Sequence, residues 1–174
     1  RIIAPNRPGY GQSDFLSGRR IGDWPKDVSD LAKILGLKKY AILGVSAGGP
    51  YALACAEQLT SLTSVGVVSG LGPMDNFQST KGMTFSARLT SFLAHHIPAL
   101  TQFFYEKLFT PLFLHYPNIP LAMLSGTAPA ADRVVLQYPI MQEMLLKSLR
   151  ETFRQGGRGP TLDLMLFTHS WGIN

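Results

Sequence analysis

The 174-residue chain has one cysteine, four histidines and no run of about twenty apolar residues. Cys55 has no second cysteine to pair with, so an internal disulfide is excluded, and its place among alanines predicts a buried, inert thiol. This cysteine usage is compatible with a reducing, cytoplasmic compartment. Because a long apolar run is missing, we expect no membrane span.

Sequence motifs for cofactors are missing as well. The chain has no phosphate-binding loop, dinucleotide fingerprint or cluster of metal-ligand residues, so we expect no cofactor and no metal. Its 16 basic and 11 acidic residues give a net charge of +5, but the basic side chains are scattered along the chain. A nucleic-acid interface needs a basic stripe with interleaved aromatics. We therefore interpret the basic residues, Arg19 among them, as solvated surface and expect no nucleic-acid partner.

The most informative segment is Tyr40–Ala56, with the sequence YAILGVSAGGPYALACA. A short apolar run leads into Gly-Val-Ser-Ala-Gly at residues 44–48, and helix-forming residues follow. This pattern predicts a strand, a sharp turn that carries a serine, and a helix. Such a turn strains the serine backbone, and small neighbours provide the room that it needs. We expect Gly44, Gly48 and Gly49 to have this role.

Ser46 lies at the point of that turn. A serine hydroxyl is a poor nucleophile at neutral pH, so an enzyme must expose it, place a base beside it and stabilise the resulting oxyanion. At the start of a helix, the main-chain amides and the positive end of the dipole point at the reacting oxygen. The sequence therefore predicts Ser46 as a nucleophile and the Ala47 N–H as an oxyanion donor. The alternative is a structural glycine-rich turn with a solvent-facing serine.

The first part of the chain alternates between strand and helix patterns. We predict a strand over 1–5 and a helix between Asp23 and Gly36. A second strand over 39–45 leads into the sharp turn at Ser46, which we call the elbow, and a helix over 47–59 and another strand over 64–69 follow. Strands that alternate with helices imply a parallel sheet and the α/β class.

After Pro73 the pattern changes to long apolar helical runs with prolines between them, up to about Gly159. Helices are predicted over 83–97, 99–114, 130–137 and 141–155, and the prolines are interpreted as breaks. The many aromatic and methionine side chains of this segment either pack its helices together or line an apolar pocket for a small-molecule substrate.

The residues Arg1–Asp14, RIIAPNRPGYGQSD, together with the Ser46 elbow, resemble the α/β-hydrolase fold family of small-molecule serine hydrolases. Asn6 stands where that family usually has an acidic residue. The resemblance implies a hydrolase core over 1–72, a helical cap over 73–158 and the start of a return to the core over 159–174. It also implies hydrolysis of a small, partly apolar ester through an acyl-serine intermediate.

In this family the chain order is nucleophile, acid, histidine. The resemblance implies that the acid, the histidine, the second oxyanion amide and the first and last strands fall outside these 174 residues, so the span alone should be an incomplete, aggregation-prone domain. None of the four histidines lies at the family's base position, and none is assigned a catalytic role; they are His95, His96, His115 and His169.

Asp75 is the candidate acid within the chain. Some members of the fold take their acid from the loop after the strand that follows the elbow helix, which is the strand predicted here over 64–69. A Pro-x-Asp sequence is also an ordinary turn and helix-cap signal, and both roles stay open. Asp163 is expected to orient a returning helix or to join a surface ion pair.

Other functions share these features. Carbon–carbon bond hydrolases, cofactor-free haloperoxidases and small-peptide peptidases have the same serine elbow, whereas related epoxide hydrolases and haloalkane dehalogenases use an aspartate there. From a different class, a hydrolase-like binding module could keep the elbow and lose the base. The sequence leaves the identity of the substrate and the oligomeric state open.

Overall fold

The computed structural model describes residues 1–75 and 78–173. The chain divides into two compact units, which are described separately. One comprises Arg1–Leu16 and Pro98–Leu162, and the other comprises Ser17–Ile97 and Asp163–Asn174. The predicted division into core, cap and return segment remains a prediction.

The unit formed by Ser17–Ile97 and Asp163–Asn174 contains the sheet. Its elements in chain order are α1 (Trp24–Ile34), β1 (Tyr40–Val45), α2 (Gly49–Gln58), β2 (Leu62–Val68) and α3 (Phe85–His96). The two strands are parallel neighbours, with Val45 opposite Val68. Parallel strands require a crossover connection, which α2 provides here. The predicted α/β class with a parallel sheet is confirmed.

Helix α1 follows a 3₁₀ turn at Ile21–Asp23. Asp23 does not cap α1 with its side chain; its carboxylate instead accepts a hydrogen bond from the Arg20 main-chain N–H at 2.7 Å. Beyond the helix, Gly36 has a φ of 66°. This left-handed conformation suits glycine and ends helices, so the predicted helix between Asp23 and Gly36 is confirmed.

A small aromatic core lies in the same unit. It consists of Ile21, Tyr51, Ala54 and Phe167, and the Tyr51 ring meets the Phe167 ring edge to face at 6.2 Å. Edge-to-face contacts of this kind add to the stabilisation from burial itself. Cys55, on the same helix as Tyr51, is buried as predicted, and burial raises the pKa of its thiol to about 11.

The strand predicted over residues 1–5 is wrong. Ile2 is 96% exposed, and these residues have no strand partner in the described part of the chain. A strand needs a neighbour because its main-chain N–H and C=O groups must be hydrogen-bonded. The loop that follows is instead held within its own unit, where Gly11 donates its N–H to the Glu151 carbonyl at 3.0 Å and Gln155 donates its side-chain amide to the Gly11 carbonyl at 2.9 Å.

The remaining segments are helical. They are α4 (Pro98–Phe104), a π-helical turn (Tyr105–Phe109), α5 (Thr110–His115), α6 (Asn118–Thr127), α7 (Ala130–Leu136), α8 (Pro139–Thr152) and α9 (Arg158–Phe167). The boundary between the two units falls within α9, after Leu162. No helix among the described residues has the length and apolar character needed to cross a membrane.

Two predictions for these helices were wrong. The single helix predicted over 99–114 is interrupted by the π-helical turn, because Pro111 at the start of α5 has no N–H with which to continue the α-helical pattern. The sequence pattern does not predict helix α6, since it treats Pro120 as a helix break. Pro120 lies in the first turn of α6, where an N–H donates no intrahelical bond and proline is tolerated.

Candidate active site

The turn between β1 and α2 places Ser46 in a strained conformation. Residues Ser46–Gly48 form one tight 3₁₀ turn, and α2 begins at Gly49. Ser46 is exposed and has a φ of 51°, a left-handed value that costs a non-glycine residue about 1–2 kcal/mol. The strained serine expected from the sequence is therefore present, although the α-helix begins after the tight turn and not at Ala47.

The glycines around Ser46 differ in how close their neighbours are. A Cβ at Gly44 would meet the Gly48 carbonyl oxygen at 2.5 Å and the Ala52 Cβ at 2.7 Å. At Gly49 it would meet the Gly70 Cα at 3.0 Å. At Gly48 it would meet nothing within 4 Å, so the expected steric need for glycine is absent there. Of these three glycines, positions 44 and 49 require glycine because of the close packing of β1, α2 and the loop after β2.

The loop after β2 contacts the elbow directly. The Leu71 N–H donates a hydrogen bond to the Ser46 carbonyl at 3.2 Å. Ser69, the first residue of this loop, is exposed and has a φ of 47°. Sequence reasoning missed Ser69, although its place directly after a valine-rich strand was a signal, because the carboxyl ends of parallel strands carry binding residues.

Ala47, the predicted oxyanion donor, is partly buried and packs against the core formed by Ile21, Tyr51, Ala54 and Phe167. The residue that follows Ser46 is therefore held by the interior of the unit. Its role as a donor stays a prediction.

A buried ion pair contacts Tyr51, which lies in the first turn of α2. The Arg19 guanidinium donates to the Asp163 carboxylate, and the side chains of these residues are 3% and 2% exposed. The Tyr51 hydroxyl donates to the same carboxylate oxygen at 2.5 Å and accepts from Arg19 at 2.6 Å. The predictions of Arg19 as solvated surface and of a surface ion pair at Asp163 were wrong.

The surroundings of Arg19 and Tyr51 shift the pKa of both side chains upwards. Burial lowers the pKa of Arg19, but the Asp163 carboxylate and Tyr51 raise it by more, so the guanidinium stays charged. Burial, together with the nearby Asp163 charge, raises the pKa of Tyr51 far above its usual value, so the phenol stays neutral. The sequence does not predict the buried pairing of Arg19 with Asp163, because a lone charged residue carries no sign of a distant partner.

Three of the four histidines have a ring nitrogen within hydrogen-bond distance of a main-chain oxygen. His95 contacts Thr168 O at 2.6 Å and His169 contacts Met165 O at 2.8 Å, while the two rings stack at 4.5 Å. His115 contacts Pro111 O at 2.8 Å. These contacts are with main-chain oxygens, and they identify no base for Ser46 among residues 1–75 and 78–173.

Asp75 is exposed, and residues 76 and 77 after it lie outside the described part of the chain. The preceding residue, Met74, donates its N–H to the Phe167 carbonyl at 3.1 Å. Its candidate role as the acid stays a prediction. Within residues 1–75 and 78–173, no group of three or more His, Cys, Asp or Glu residues could hold a metal ion.

A parallel strand that leads through a turn with a strained, exposed serine into a helix defines an α/β protein. A family model described as the alpha/beta hydrolase fold matches residues 1–160. The chain therefore belongs to the α/β-hydrolase fold family. A search of curated proteins found no match.

Proposed function

We propose that the protein is a serine hydrolase that cleaves a small, partly apolar ester through an acyl-serine intermediate on Ser46. The observation that supports this proposal is the exposed Ser46 at a φ of 51°, directly before α2. Strained non-glycine residues of this kind cluster at functional sites, because the surrounding structure must compensate for their cost. Membership of the hydrolase-fold family supports the same general class.

In the proposed reaction, the Ser46 hydroxyl oxygen attacks the ester carbonyl carbon while a base accepts its proton. The tetrahedral oxyanion accepts a hydrogen bond from the Ala47 N–H, and the alcohol leaves with a proton from the conjugate acid of that base. Water then attacks the acyl-serine by the same route and releases the carboxylic acid. In the family's chain order a histidine is the base, and Asp75 is the candidate within this chain for the acid that orients it.

Labelling with a fluorophosphonate probe tests the nucleophile. The protein, at the length encoded by its gene, is treated with the probe, and the modified peptide is identified by mass spectrometry. We expect modification of Ser46 and its loss in Ser46→Ala. Ser64→Ala is the matched control, since Ser64 is an exposed serine within β2, and it should label as the wild type does. A folded protein whose Ser46 stays unmodified would contradict the proposal.

A second candidate function is a non-catalytic, hydrolase-like binding module. It is favoured by the histidine contacts, which are with main-chain oxygens at Thr168, Met165 and Pro111. Loss of the base from a serine triad lowers turnover by about 10⁶-fold. Binding of a small ester with a measurable dissociation constant, without labelling or turnover, would support this alternative.

The reaction type also needs a test, because several chemistries share the serine elbow. We expect p-nitrophenyl esters of short acids to be hydrolysed fastest. Cleavage of the carbon–carbon bond of a diketone and of the amide bond of an aminoacyl p-nitroanilide should both be slower. If Asp75 is the acid, Asp75→Asn lowers kcat on the preferred substrate, and the loss is on the order of 10⁴-fold. Unchanged kcat in this variant would leave Asp75 with its turn role.

A further inference from the structure

Ser46 and Ser69 occupy equivalent positions on neighbouring strands. Val45 and Val68, the last residues of β1 and β2, are paired in register, and each is followed by a serine. Both serines are exposed, and their φ angles are 51° and 47°. Neighbouring strands lie about 4.8 Å apart, so Ser69 is about one strand spacing from the proposed nucleophile.

The conformation of Ser69 has a cost that glycine would avoid. A left-handed φ destabilises a non-glycine residue by about 1–2 kcal/mol, and the chain uses glycine at the next position, Gly70. Ser46 and Ser69 are the two non-glycine residues with positive φ in the described part of the chain. Strain retained at an exposed position beside a proposed nucleophile points to a role for the hydroxyl group.

The loop that carries Ser69 is also connected to the elbow. Its Leu71 N–H donates to the Ser46 carbonyl at 3.2 Å, and its Gly70 Cα lies 3.0 Å from the position that a Cβ on Gly49 would take. The loop thus contacts the elbow at both Ser46 and Gly49, and these contacts hold the main chain of Ser69 in a defined place relative to Ser46. A hydroxyl on a main chain held in this way can orient a substrate, because its hydrogen bond does not require the loop to be ordered on binding.

We propose that Ser69 is a specificity-determining residue whose hydroxyl hydrogen-bonds an oxygen on the carbon next to the reacting carbonyl. The inference rests on the proposed function of Ser46. A carbonyl carbon poised for attack lies about 3–3.5 Å from the nucleophilic oxygen, and a hydroxyl hydrogen bond spans about 2.8 Å. A substituent on the adjacent carbon can therefore bridge the strand spacing to Ser69. The substrate class is an ester of a 2-hydroxy or 2-oxo acid.

The test compares p-nitrophenyl esters of 2-hydroxypropanoic and propanoic acids, which differ by one oxygen. The readout is the ratio of kcat/KM for the hydroxy ester to kcat/KM for the plain ester. We expect Ser69→Ala to lower this ratio about tenfold, the effect of losing one hydrogen bond. Ser69→Gly should lower it equally, because glycine keeps the left-handed backbone and removes only the hydroxymethyl group. Ser64→Ala should keep the wild-type ratio.

A ratio within twofold of the wild type in both Ser69 variants would overturn the inference, even if both rates fell, because an equal loss on the two esters indicates a structural role. Fluorophosphonate labelling of wild-type Ser46 separates the two hypotheses. Labelling at Ser46 with an unchanged ratio overturns the role of Ser69 alone. Absence of labelling in the folded wild type overturns the proposed function, and the role of Ser69 with it.

Discussion

Gly44 and Gly48 share the elbow sequence but differ in the space around their Cα atoms. A Cβ at Gly44 would lie 2.5 Å from the Gly48 carbonyl oxygen, whereas a Cβ at Gly48 would meet nothing within 4 Å. The spacing of glycines in the sequence treats the two positions alike. Their different roles follow from how closely α2 approaches the end of β1.

We expect Gly44→Ala to lower the free energy of unfolding by about 1–3 kcal/mol, because the added methyl group forces β1 and α2 apart. Gly48→Ala is the matched control, and the same methyl group there should change stability by less than about 1 kcal/mol. Urea denaturation of both variants measures the difference. Equal losses would contradict the packing described at the elbow.

Cys55 is a fully buried thiol whose pKa is raised from 9.0 to about 11 by burial. Because the unfolded chain loses this proton more readily than the folded one, Cys55 contributes stability below pH 9 that is lost as the pH rises towards about 11. We expect the free energy of unfolding to fall over this range, and less steeply in Cys55→Ala. Denaturation curves at pH 8, 9, 10 and 11, with titration of the other groups common to both proteins, isolate the thiol. Parallel pH profiles would argue against a raised pKa.

Three secondary-structure segments are joined by one buried network. Hydrogen bonds among Arg19, Tyr51 and Asp163 connect the segment before α1 with α2 and α9. The two charged residues are 144 positions apart in the chain. Burial of charges is costly, and the hydrogen bonds that the two side chains make with each other and with Tyr51 offset this cost. The pair therefore stabilises the position of α2, the helix that follows the elbow, through Tyr51 and not through Ser46.

Removing one member of this pair leaves the other charge buried. We expect Asp163→Asn and Arg19→Met each to lower the free energy of unfolding by about 3–5 kcal/mol. Thermal or urea denaturation measures the loss, and the double variant should lose less than the sum of the two. Asp30→Asn is the control, since Asp30 forms exposed ion pairs with Lys26 and Lys33 and its removal should have no measurable effect. Similar behaviour of Asp163 and Asp30 would contradict a buried network.

Over the whole molecule, burial is concentrated in few places. Helix α2 has six buried residues, including Tyr51, Ala54 and Cys55, whereas no residue of α6, α7 or α8 is buried. Local stability follows the number of buried contacts, so these helices should open with different free energies although all are hydrogen-bonded.

Hydrogen–deuterium exchange with peptide resolution tests this expectation. Amides of α2 should exchange more slowly than those of α6. Secondary structure alone predicts equal protection of the two helices, which have the same length of ten residues. Equal protection of α6 and α2 would contradict the expectation that local stability follows burial in these two helices.

Local pattern was sufficient for the features that depend on neighbouring residues. The β1–turn–α2 order, the end of α1 at Gly36 and the strained Ser46 follow from apolar runs, glycines and the needs of a tight turn, all within a few residues. The family resemblance rests on Arg1–Asp14 and the Ser46 elbow, which are also short local segments. The prolines at α5 and α6 are ambiguous signals, because proline is accommodated in the first turn of a helix and also ends helices.

Features that join distant segments required the tertiary structure. The burial of Arg19 depends on Asp163, and the role proposed for Ser69 depends on the register that pairs Val45 with Val68. Residues 1–5 have an apolar character typical of strands, yet a strand forms only where a neighbour completes its hydrogen bonds. A sequence records which residues can pair, whereas long-range packing selects which of them do so, because each such contact must offset the entropy of bringing its two segments together.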